Sequence, residues 1–412
     1  MGSFEDYLRD YVRLLVRKGV NIQKGQLLVI SCGVENAHIA RLAVEEAYEA
    51  GASDVNVQWG DDKVVRTRYL KADSAVFDEF PPYRKLMFDT FIEKGAASLN
   101  IASGDPENLK GVDPDRLVRA TKAAQEPMKK YREATMTNKN RWCVAAVPCD
   151  AWAKKVFPNA KDIEEAKTAL WELIFKASRV DDNGSVSNWD AHMRSFKARI
   201  KTLNDYNFKS LRYKNSIGSD FTINLAPNHI WEGGGDVSQD GIPFLPNVPT
   251  EEIFTAPDKD GINGRVVSSM PLVRNGNVID KFWFEFKDGV AVSYGAEVGK
   301  EFLDTIIKTS KNADRLGEVA LVPFKSPISE MKTLFYNTLY DENASCHLAL
   351  GAAYANSIKG GAALSEEERE KAGLNVSAEH CDFMIGTEDL NITGITQDGK
   401  EVPVFTDGNF AF

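Results

Sequence analysis

The first half of the chain alternates short apolar runs with segments whose apolar residues recur at helical spacing. Helical segments cover residues 37–50, ending at Gly51, and a stretch that begins at the Asp113-Pro114 cap. Four apolar runs alternate with the helical segments and have the length and composition of buried strands: residues 27–32, 54–59, 98–102 and 142–147. Strands separated by helices predict an α/β fold with a parallel sheet that carries helices on both faces.

The pattern changes near Tyr206, where the chain becomes rich in strands and turns. Two further helices, over residues 166–177 and 187–204, precede the change. Four strand-like segments separated by Gly, Asn and Asp follow it: FTINL, RVVSSM, KFWFEF and VAVSY. We therefore predict an N-terminal parallel-sheet α/β domain over residues 1–205 and an α+β C-terminal domain over residues 206–412.

Composition and charge limit the partners that this chain is expected to have. A formal charge of −10, a pI near 5.3 and the absence of a basic run disfavour nucleic acid. Neither GxGxxG nor a phosphate loop of the form GxxxxGKS or GxxxxGKT follows a predicted strand, which disfavours a nucleotide. The N-terminal segment has the pattern of an amphipathic helix, and no apolar stretch approaches the roughly 18 residues of a membrane span. We expect a cytoplasmic protein with no membrane partner.

The cysteines do not indicate a site of their own. Five of them are scattered along the chain, which predicts free thiols in a reducing compartment. The sequence has no CxxC pair, which disfavours a zinc finger, and no HExxH, which excludes the common zincin mechanism.

Candidate chemistry lies in the C-terminal half, where acidic residues occur inside apolar segments close to two of the five histidines. The elements predicted there are a helix over residues 296–309, the strand EVALV, a helix over residues 345–357 and the strand CDFMIG. Glu318 heads the first of these strands, and an ionised carboxylate near a core is costly unless it is paired or metal-bound. A solvent-exposed strand end is the alternative for Glu318 taken alone.

His380 and Asp382 are separated by the strand period of two residues. Both side chains are therefore predicted to lie on one face of the strand, with Cys381 and Phe383 on the other. An imidazole beside a carboxylate suits zinc, cobalt or manganese, whereas a calcium site would avoid histidine. The alternative is a partly buried histidine that is hydrogen-bonded to its neighbour.

The predicted helix over residues 345–357 carries two further candidates. Tyr354 follows His347 by seven residues, close to two helical turns, so the two are expected to share a face with the small residue Gly351. Glu342 is placed at the start of this helix behind Asp341 as its N-cap. Stabilisation of the helix dipole is the alternative role for Glu342.

Glu251 and Glu252 are adjacent, so an extended segment sends their side chains in opposite directions. In a two-metal hydrolase, one such carboxylate can hold a metal ion while the other takes the proton of the attacking water. The sequence leaves open which glutamate has which role, and a surface acidic turn is the alternative.

Together these stretches resemble the aminopeptidase T family of metalloaminopeptidases, also called the aminopeptidase S or thermophilic type. The resemblance covers most of residues 245–395 and rests on four segments, in this order: NVPTEEIFTAP, LGEVALVPFKSPIS, LFYNTLYDENASCHLALGAAY and HCDFMIGTEDL.

The resemblance implies a pair of divalent metal ions a few ångströms apart with a carboxylate shared between them. Six residues match the family's ligand set: Glu252, Glu318, Glu342, His347, His380 and Asp382. Glu318 is expected to bridge the ions, and Tyr354 to be an auxiliary residue of the site. By analogy with other two-metal aminopeptidases, we expect Glu251 to be the general base.

The function implied by the resemblance is hydrolysis of the N-terminal bond of peptides with a free N-terminus, using zinc, cobalt or manganese, by a homodimer. Two alternatives are kept. One is a dipeptidase or amidohydrolase with the same metal pair, and the other is a non-catalytic metal-binding or peptide-binding protein. Structural zinc sites are usually four-coordinate and rich in cysteine, which disfavours the second alternative.

Overall fold

The alternation of apolar strands and helices produces the predicted parallel sheet. The computed structural model describes residues 2–274, 277–308 and 310–412. Its α-helices within these ranges are α1 (Phe4–Leu14), α2 (Ala37–Glu49), α3 (Asp62–Lys71), α4 (Pro82–Glu93), α5 (Pro114–Gln125), α6 (Lys129–Met136), α7 (Asp150–Val156), α8 (Ile163–Ala177), α9 (Ser185–Tyr206), α10 (Lys300–Lys308), α11 (Pro327–Glu330), α12 (Thr338–Asp341) and α13 (Glu366–Lys371).

The strands are shorter and more numerous in the second half of the chain. They are β1 (Leu27–Gly33), β2 (Asp54–Gly60), β3 (Ala97–Ala102), β4 (Trp142–Ala146), β5 (Ser210–Lys214), β6 (Asp220–Leu225), β7 (Glu232–Gly233), β8 (Asp236–Val237), β9 (Pro243–Phe244), β10 (Asn247–Val248), β11 (Ile253–Thr255), β12 (Pro257–Val267), β13 (Leu272–Arg274), β14 (Asn277–Lys287), β15 (Val290–Val298), β16 (Leu316–Leu321), β17 (His347–Gly351), β18 (His380–Met384), β19 (Asn391–Ile395), β20 (Glu401–Thr406) and β21 (Asn409–Phe410).

The chain divides into two compact units. The first contains residues 1–190 and 235–249, and the second contains residues 191–234 and 250–412. The predicted boundary near residue 206 assumed that the chain leaves the first unit once, whereas residues 235–249 belong to that unit again. The boundary stays a prediction.

The first unit is built on a five-stranded sheet with the order β10-β4-β3-β1-β2, in which every neighbouring pair is parallel. The α/β prediction is thus confirmed for this half of the chain. All four predicted strands are present, and the two-residue strand β10 adds to the edge next to β4. The amphipathic N-terminal segment forms α1, which begins at a capping box between Ser3 and Asp6.

The second unit contains two antiparallel sheets. The larger has nine strands, in the order β13-β14-β12-β6-β5-β19-β20-β21 with β15 beside β14. The smaller has five, in the order β18-β17-β16-β11-β7. Buried aromatic and aliphatic side chains of both sheets, including Phe282, Phe284, Val319 and Phe383, belong to one hydrophobic cluster. This core supports the smaller sheet, which carries the candidate site described below.

The predicted helix over residues 345–357 is wrong. The segment forms strand β17 and, after Gly351, a short 3₁₀ turn at Ala355–Ser357. Every residue of β17 is buried: the strand is central, between β16 and β18, and Leu348 and Leu350 pack into the hydrophobic core. A run that is apolar on both faces shows no period of two, so it resembles a buried helix in sequence.

The predicted place of Glu342 at a helix start is corrected as well. Asp341 is the last residue of α12, and Glu342 opens a 3₁₀ turn, Glu342–Ala344, that Asp341 does not cap with its side chain. The carboxylate of Asp341 instead accepts the backbone N–H groups of Phe335 and Asn337, at 2.8 and 3.0 Å.

The predicted helix over residues 296–309 begins later than expected. Residues 296–298 still belong to β15, and α10 starts at Lys300 after Gly299, whose φ is +73°. A side chain at Gly299 would meet the carbonyl oxygen of Val278 at 2.3 Å, so glycine is required at this turn. Thr309, the predicted last residue, lies outside the described residues.

All five cysteines are free, as the sequence predicts, and all five are buried. Cys32, Cys143 and Cys149 belong to the first unit, and Cys346 and Cys381 to the second. In the described part of the chain, no helix combines the length and the apolar character that crossing a membrane requires.

Candidate active site

The five-stranded antiparallel sheet of the second unit brings the predicted metal ligands together. Glu318 lies on β16, His347 on β17, and His380 and Asp382 on β18, which are consecutive strands of this sheet. Glu252 immediately precedes β11, which pairs with β16 on its other side. Residues more than 60 positions apart in sequence therefore meet through strand pairing.

The register of the strands places the side chains on one face. Ala349 of β17 pairs with Glu318 of β16 and with Asp382 of β18, so these three form a row across the sheet. His347 lies two residues before Ala349, and His380 lies two before Asp382, so both point to the same side. Because Ala349 carries only a methyl group, the space between the two carboxylates is left open.

Two groups of side chains in the described residues have the geometry of metal ligands. The first contains Glu252, Glu318 and His347, and the second contains Glu318, His380 and Asp382; in each group the donor atoms lie within 4.8 Å of one another. Glu318 is the residue that the two groups share.

The two carboxylate oxygens of Glu318 face different imidazoles. Its Oε1 lies 3.6 Å from Nε2 of His347, and its Oε2 lies 3.6 Å from Nε2 of His380. His347 Nε2 is also 3.0 Å from Oε2 of Glu252, and His380 Nε2 is 3.2 Å from Oδ1 of Asp382. The two oxygens of Glu318 are thus directed towards different groups of candidate ligands.

Backbone carbonyls orient both imidazoles. Nδ1 of His347 lies 3.0 Å from the carbonyl oxygen of Ser345, and Nδ1 of His380 lies 2.8 Å from that of Ala352. Since a carbonyl only accepts, each Nδ1 carries a proton and donates it. In the neutral form of each ring, the form that binds a metal ion, the lone pair is then on Nε2 and is directed into the cluster. Metal-binding histidines commonly have such a partner on the second ring nitrogen.

The cluster contains several buried carboxylates, so its electrostatics favour the binding of a cation. Burial raises the pKa of Glu318 above its ordinary value, and the charges of Glu252 and Asp382 raise it further, against the effect of the imidazoles. Burial alone would lower the pKa of both histidines. The carboxylates around them outweigh it, so the pKa is well above normal for His347 and about 10 for His380.

Asp382 shows the opposite balance. Burial would raise its pKa, but His380 and His347 bring it down to about 2. Carboxylates crowded in a buried site repel one another unless cations compensate them. Carboxylate oxygens and imidazole nitrogens, with no thiolate in either group, form a donor set that fits zinc, cobalt or manganese.

Three of the predicted site residues lie outside both groups. Glu342 is near enough to interact electrostatically with the cluster: burial, and then the charges of Asp382 and Glu252, raise its pKa well above its ordinary value. The Tyr354 ring lies 5.2 Å from the ring of His380, between centroids. Burial and the charges of Glu318 and Asp382 raise the pKa of its phenol. Tyr354 thus reaches the site without the helix that was predicted to carry it.

The structure separates the two adjacent glutamates, as expected of an extended segment. Glu252 contacts His347 in the first group, whereas Oε2 of Glu251 lies 3.7 Å from Nε2 of His192 on α9. The backbone N–H of Glu251 donates to Oδ1 of Asn343 at 2.7 Å.

Sequence reasoning missed His192 and Asn343. His192 lies almost 60 residues before Glu251 in a helix with no local signature, so no spacing could connect the two. Asn343 is fully buried, and its Nδ2 donates to the carbonyl oxygen of Leu339 at 2.8 Å while its Oδ1 accepts from Glu251. The adjacent Glu342 was the signal that could have drawn attention to it.

A model of the thermophilic metalloprotease family M29 matches residues 4–410 of the chain. The chain belongs to this family. Aminopeptidase 2 of Geobacillus stearothermophilus is 45% identical over 412 residues, covering 100% of this chain and 99% of the relative. Aminopeptidase AmpS of Bacillus subtilis is 44% identical, with 100% of both chains covered.

A solved structure supports the same assignment to M29. Wild-type AmpT from Thermus thermophilus superposes with a TM-score of 0.92 at 35% sequence identity, and the match covers 100% of each chain. The resemblance seen in the C-terminal segments is thus confirmed, and it extends over the N-terminal half. Members of a metallopeptidase family depend on a divalent metal, and the two residue groups on the small sheet are where this M29 chain offers ligands.

Proposed function

We propose that this chain is a two-metal aminopeptidase that removes residues from the free N-termini of peptides. The observation that carries the proposal is the position of Glu318, whose two oxygens face the two ligand groups. Relatives that are 45% and 44% identical over the full length are named aminopeptidases, which supports this substrate class over other amides.

The chain's own residues would hold two cations in the following way. Glu252 and His347 would bind one ion, His380 and Asp382 the other, and Glu318 both, with Glu342 completing the set from the adjacent 3₁₀ turn. When bound, such a pair polarises the scissile carbonyl, anchors the free α-amine and lowers the pKa of a water towards roughly 7. The Nδ1 donors to Ser345 and Ala352 keep both imidazoles in the orientation that this role needs.

We assign Glu251 the role of general base, which takes the proton of the attacking water and passes it to the leaving amine. The support is its burial in a fixed position between Asn343 and His192, outside both ligand groups. Tyr354, whose ring lies beside His380, would hydrogen-bond the substrate through its hydroxyl.

Replacement of Glu251 tests its assignment directly. Glu251→Gln should keep the full metal content while lowering kcat by at least about 10²-fold, since general-base catalysis typically contributes 10²–10⁴. Metal content is measured by mass spectrometry of the purified protein, with Glu301→Gln on the exposed side of α10 as a matched control. Loss of one metal equivalent would make Glu251 a ligand and not a base.

We further propose zinc, cobalt or manganese as the metal, a cytoplasmic location and a homodimer. The mixed oxygen and nitrogen donor set supports these metals over calcium. Five free, buried thiols support a reducing compartment. Light scattering of the purified protein gives the oligomeric state, and a mass of one chain would overturn the dimer.

The activity is tested with a leucine anilide and its N-acetylated form. Protein stripped with a chelator is assayed with and without added zinc, cobalt or manganese. Metal-dependent release of the aniline from the free-amine compound only is the expected result. Cleavage of both compounds would indicate a broader amidohydrolase, and activity on dipeptides but not longer peptides would indicate a dipeptidase. Metal binding without cleavage of any aminoacyl substrate would indicate a binding protein.

A further inference from the structure

A cavity of about 740 Å³ lies in the first unit at the carboxyl end of the parallel sheet. The chain passes from β1 to β2 on one side and then crosses to β3 on the other, so the sheet changes direction between β1 and β3. Open α/β sheets bind ligands at this point, outside the carboxyl ends of the strands. The volume is within the roughly 300–1,000 Å³ usual for small-ligand sites.

The ends of β1 and β3 are tied together at the cavity. Asn36, which follows β1 and is 5% exposed, donates from Nδ2 to Oγ of Ser103, which follows β3, at 2.7 Å. Both residues line the cavity. This hydrogen bond between protein side chains holds the loops after β1 and β3 together, so the cavity is pre-formed in the first unit.

The floor of the cavity is a polar row on the sheet itself. Ser31 of β1 pairs with Gln58 of β2 and with Asn100 of β3, and all three line the cavity. Ser31 and Asn100 are exposed although their strands are the central ones. Parallel sheets are normally covered and apolar on both faces, so exposed hydrogen-bonding side chains on the central strands are available to a ligand.

The wall opposite is apolar and aromatic. Met87, Phe88 and Phe91 of α4 and Tyr131 of α6 line it, and the rings of Phe88 and Tyr131 pack with centroids 5.0 Å apart. Helix α4 buries only Ile92, so these four side chains stay half-buried and keep part of their surface open to the cavity. They provide a surface for the alkyl or aromatic part of a ligand.

The rim is acidic. Two basic residues, Lys63 and Arg84, line the cavity, against five carboxylates: Glu35, Asp61, Asp62, Asp105 and Asp150. Two of these carboxylates have a cationic neighbour: Asp150 lies 3.2 Å from Nζ of Lys167, and Glu35 lies 4.0 Å from Nζ of Lys63. Asp61, Asp62 and Asp105 have no ion pair among the described residues, so these three favour a cationic ligand over an anionic or neutral one.

Three of the rim carboxylates are held in place by backbone N–H groups. Oδ1 of Asp61 accepts from Lys63 at 2.8 Å, Oδ2 of Asp62 from Asp105 at 2.8 Å, and Oδ1 of Asp105 from Glu107 at 2.8 Å. Among the described residues, the second oxygen of each has no hydrogen bond. The metal-type groups in the described ranges are confined to the candidate active site, so these carboxylates suit an organic cation and not a metal ion.

We propose that this cavity binds an extended peptide segment that carries a lysine or arginine side chain. The cation pairs with Asp61, Asp62 and Asp105, its alkyl stem packs on Phe88 and Phe91, and the polar row bonds the peptide backbone. A Lys or Arg side chain combines an apolar stem with a cationic end, which matches the two kinds of surface in the cavity. Every contact lies in the first unit, so the proposal stands apart from the peptidase activity proposed above.

The test measures peptide binding by calorimetry to the metal-loaded, full-length protein. The probes are N-acetyl-Ala-Lys-Ala amide and the same peptide with norleucine in place of lysine. The acetyl group removes the free α-amine, so a hydrolytic site that requires it does not take part. We expect the lysine peptide to bind on the order of tenfold more tightly than the norleucine peptide, and to weaken at 0.5 M salt.

Variants locate the binding. Asp62→Asn and Asp105→Asn should each weaken the lysine peptide on the order of fivefold and leave the norleucine peptide unchanged. Glu172→Gln, on the exposed side of α8 in the same unit, removes one charge away from the cavity and should bind as the wild type does. Unchanged leucine anilide hydrolysis shows that each variant is folded. If a variant is not folded, the weakening of lysine-peptide binding to the wild type at high salt still tests whether the acidic rim contributes to binding.

Three results would overturn the proposal. Equal binding of the lysine and norleucine peptides would remove the role of the acidic rim. No binding of either peptide would remove the site. Spermidine binding as tightly as the lysine peptide, with the same loss in the two variants, would make the ligand a free polyamine and not a peptide segment. If the wild-type protein binds the lysine peptide but does not hydrolyse the anilide, the result counts against the proposed aminopeptidase activity and not against this site.

Discussion

At the scale of single residues, the main feature is that one buried carboxylate belongs to both groups of candidate metal ligands. Glu318 is 4% exposed, and its two oxygens lie 3.6 Å from two different imidazoles. The sequence could mark Glu318 as an acidic residue at the head of an apolar strand, and family resemblance suggested a bridge. The position of each oxygen depends on the pairing of β16 with its neighbours, which one strand's sequence does not contain.

If Glu318 is shared as proposed, its removal should have a larger effect on metal content than removal of a proposed ligand of one group. Glu318→Gln should lose both metal equivalents, whereas Glu252→Gln should lose one, because a neutral amide binds a divalent cation less well than a carboxylate. Metal analysis after dialysis checks the two stoichiometries. Glu301→Gln controls for the loss of a negative charge. Retention of one equivalent by Glu318→Gln would show that the ions are held separately.

The two adjacent glutamates show where residue-level prediction ends. An extended backbone was enough to predict that Glu251 and Glu252 point apart. Which one enters the cluster depends on the side of the small sheet to which each side chain points. The structure places Glu252 beside His347. The contact of Glu251 with His192 was not predictable, since it joins the segment before β11 to a helix almost 60 residues earlier in the chain.

At the scale of elements, the site depends on three consecutive antiparallel strands and their register. Strands β16 and β18 were predicted, but β17 was taken for a helix because all five of its residues are buried and show no alternation. The seven-residue spacing of His347 and Tyr354 looked helical by coincidence. Tyr354 arrives beside His380 because the chain turns after Gly351, whose φ is +95°.

Ala349 is the element-scale test, since it lies between Glu318 and Asp382 on the central strand. Ala349→Val should keep the sheet, because valine favours strands, but its added methyl groups should crowd the ligands and lower metal affinity on the order of tenfold. Metal titration of the stripped protein measures the effect.

The matched substitution is Ala349→Gly, which leaves the space open. It should bind metal normally while lowering the free energy of unfolding by about 1 kcal/mol. Equal metal affinity in the valine variant and the wild type would show that the small residue at this position has no role in the site.

At the scale of the whole molecule, the parallel sheet was predicted correctly and the architecture of the second half in outline. Five strands of two residues each were not predictable, because so short a segment has no periodicity: β7, β8, β9, β10 and β21. For the same reason, the return of residues 235–249 to the first unit had no signal. Long-range pairing, and not local preference, decides these pieces.

Metal removal should destabilise the second unit, since all of the proposed ligands lie there. Each site saturated at a hundred times its Kd contributes about 2.7 kcal/mol to the folded state, and a chelator withdraws this contribution. Differential scanning calorimetry with and without chelator should show a lower unfolding temperature for the stripped protein, restored by added zinc. An unfolding temperature that does not respond to chelator would contradict a metal site in this unit.

Because buried thiols occur in both units, the rate at which they are alkylated measures how often each unit unfolds. A thiol inside the core reacts with an alkylating reagent only when its surroundings unfold, and burial raises the pKa of Cys32 and Cys381 to about 11, which slows them further. Three thiols belong to the first unit and two to the second. Mass spectra taken during alkylation would therefore report the two units separately, and a chelator should accelerate the modification of Cys346 and Cys381 alone.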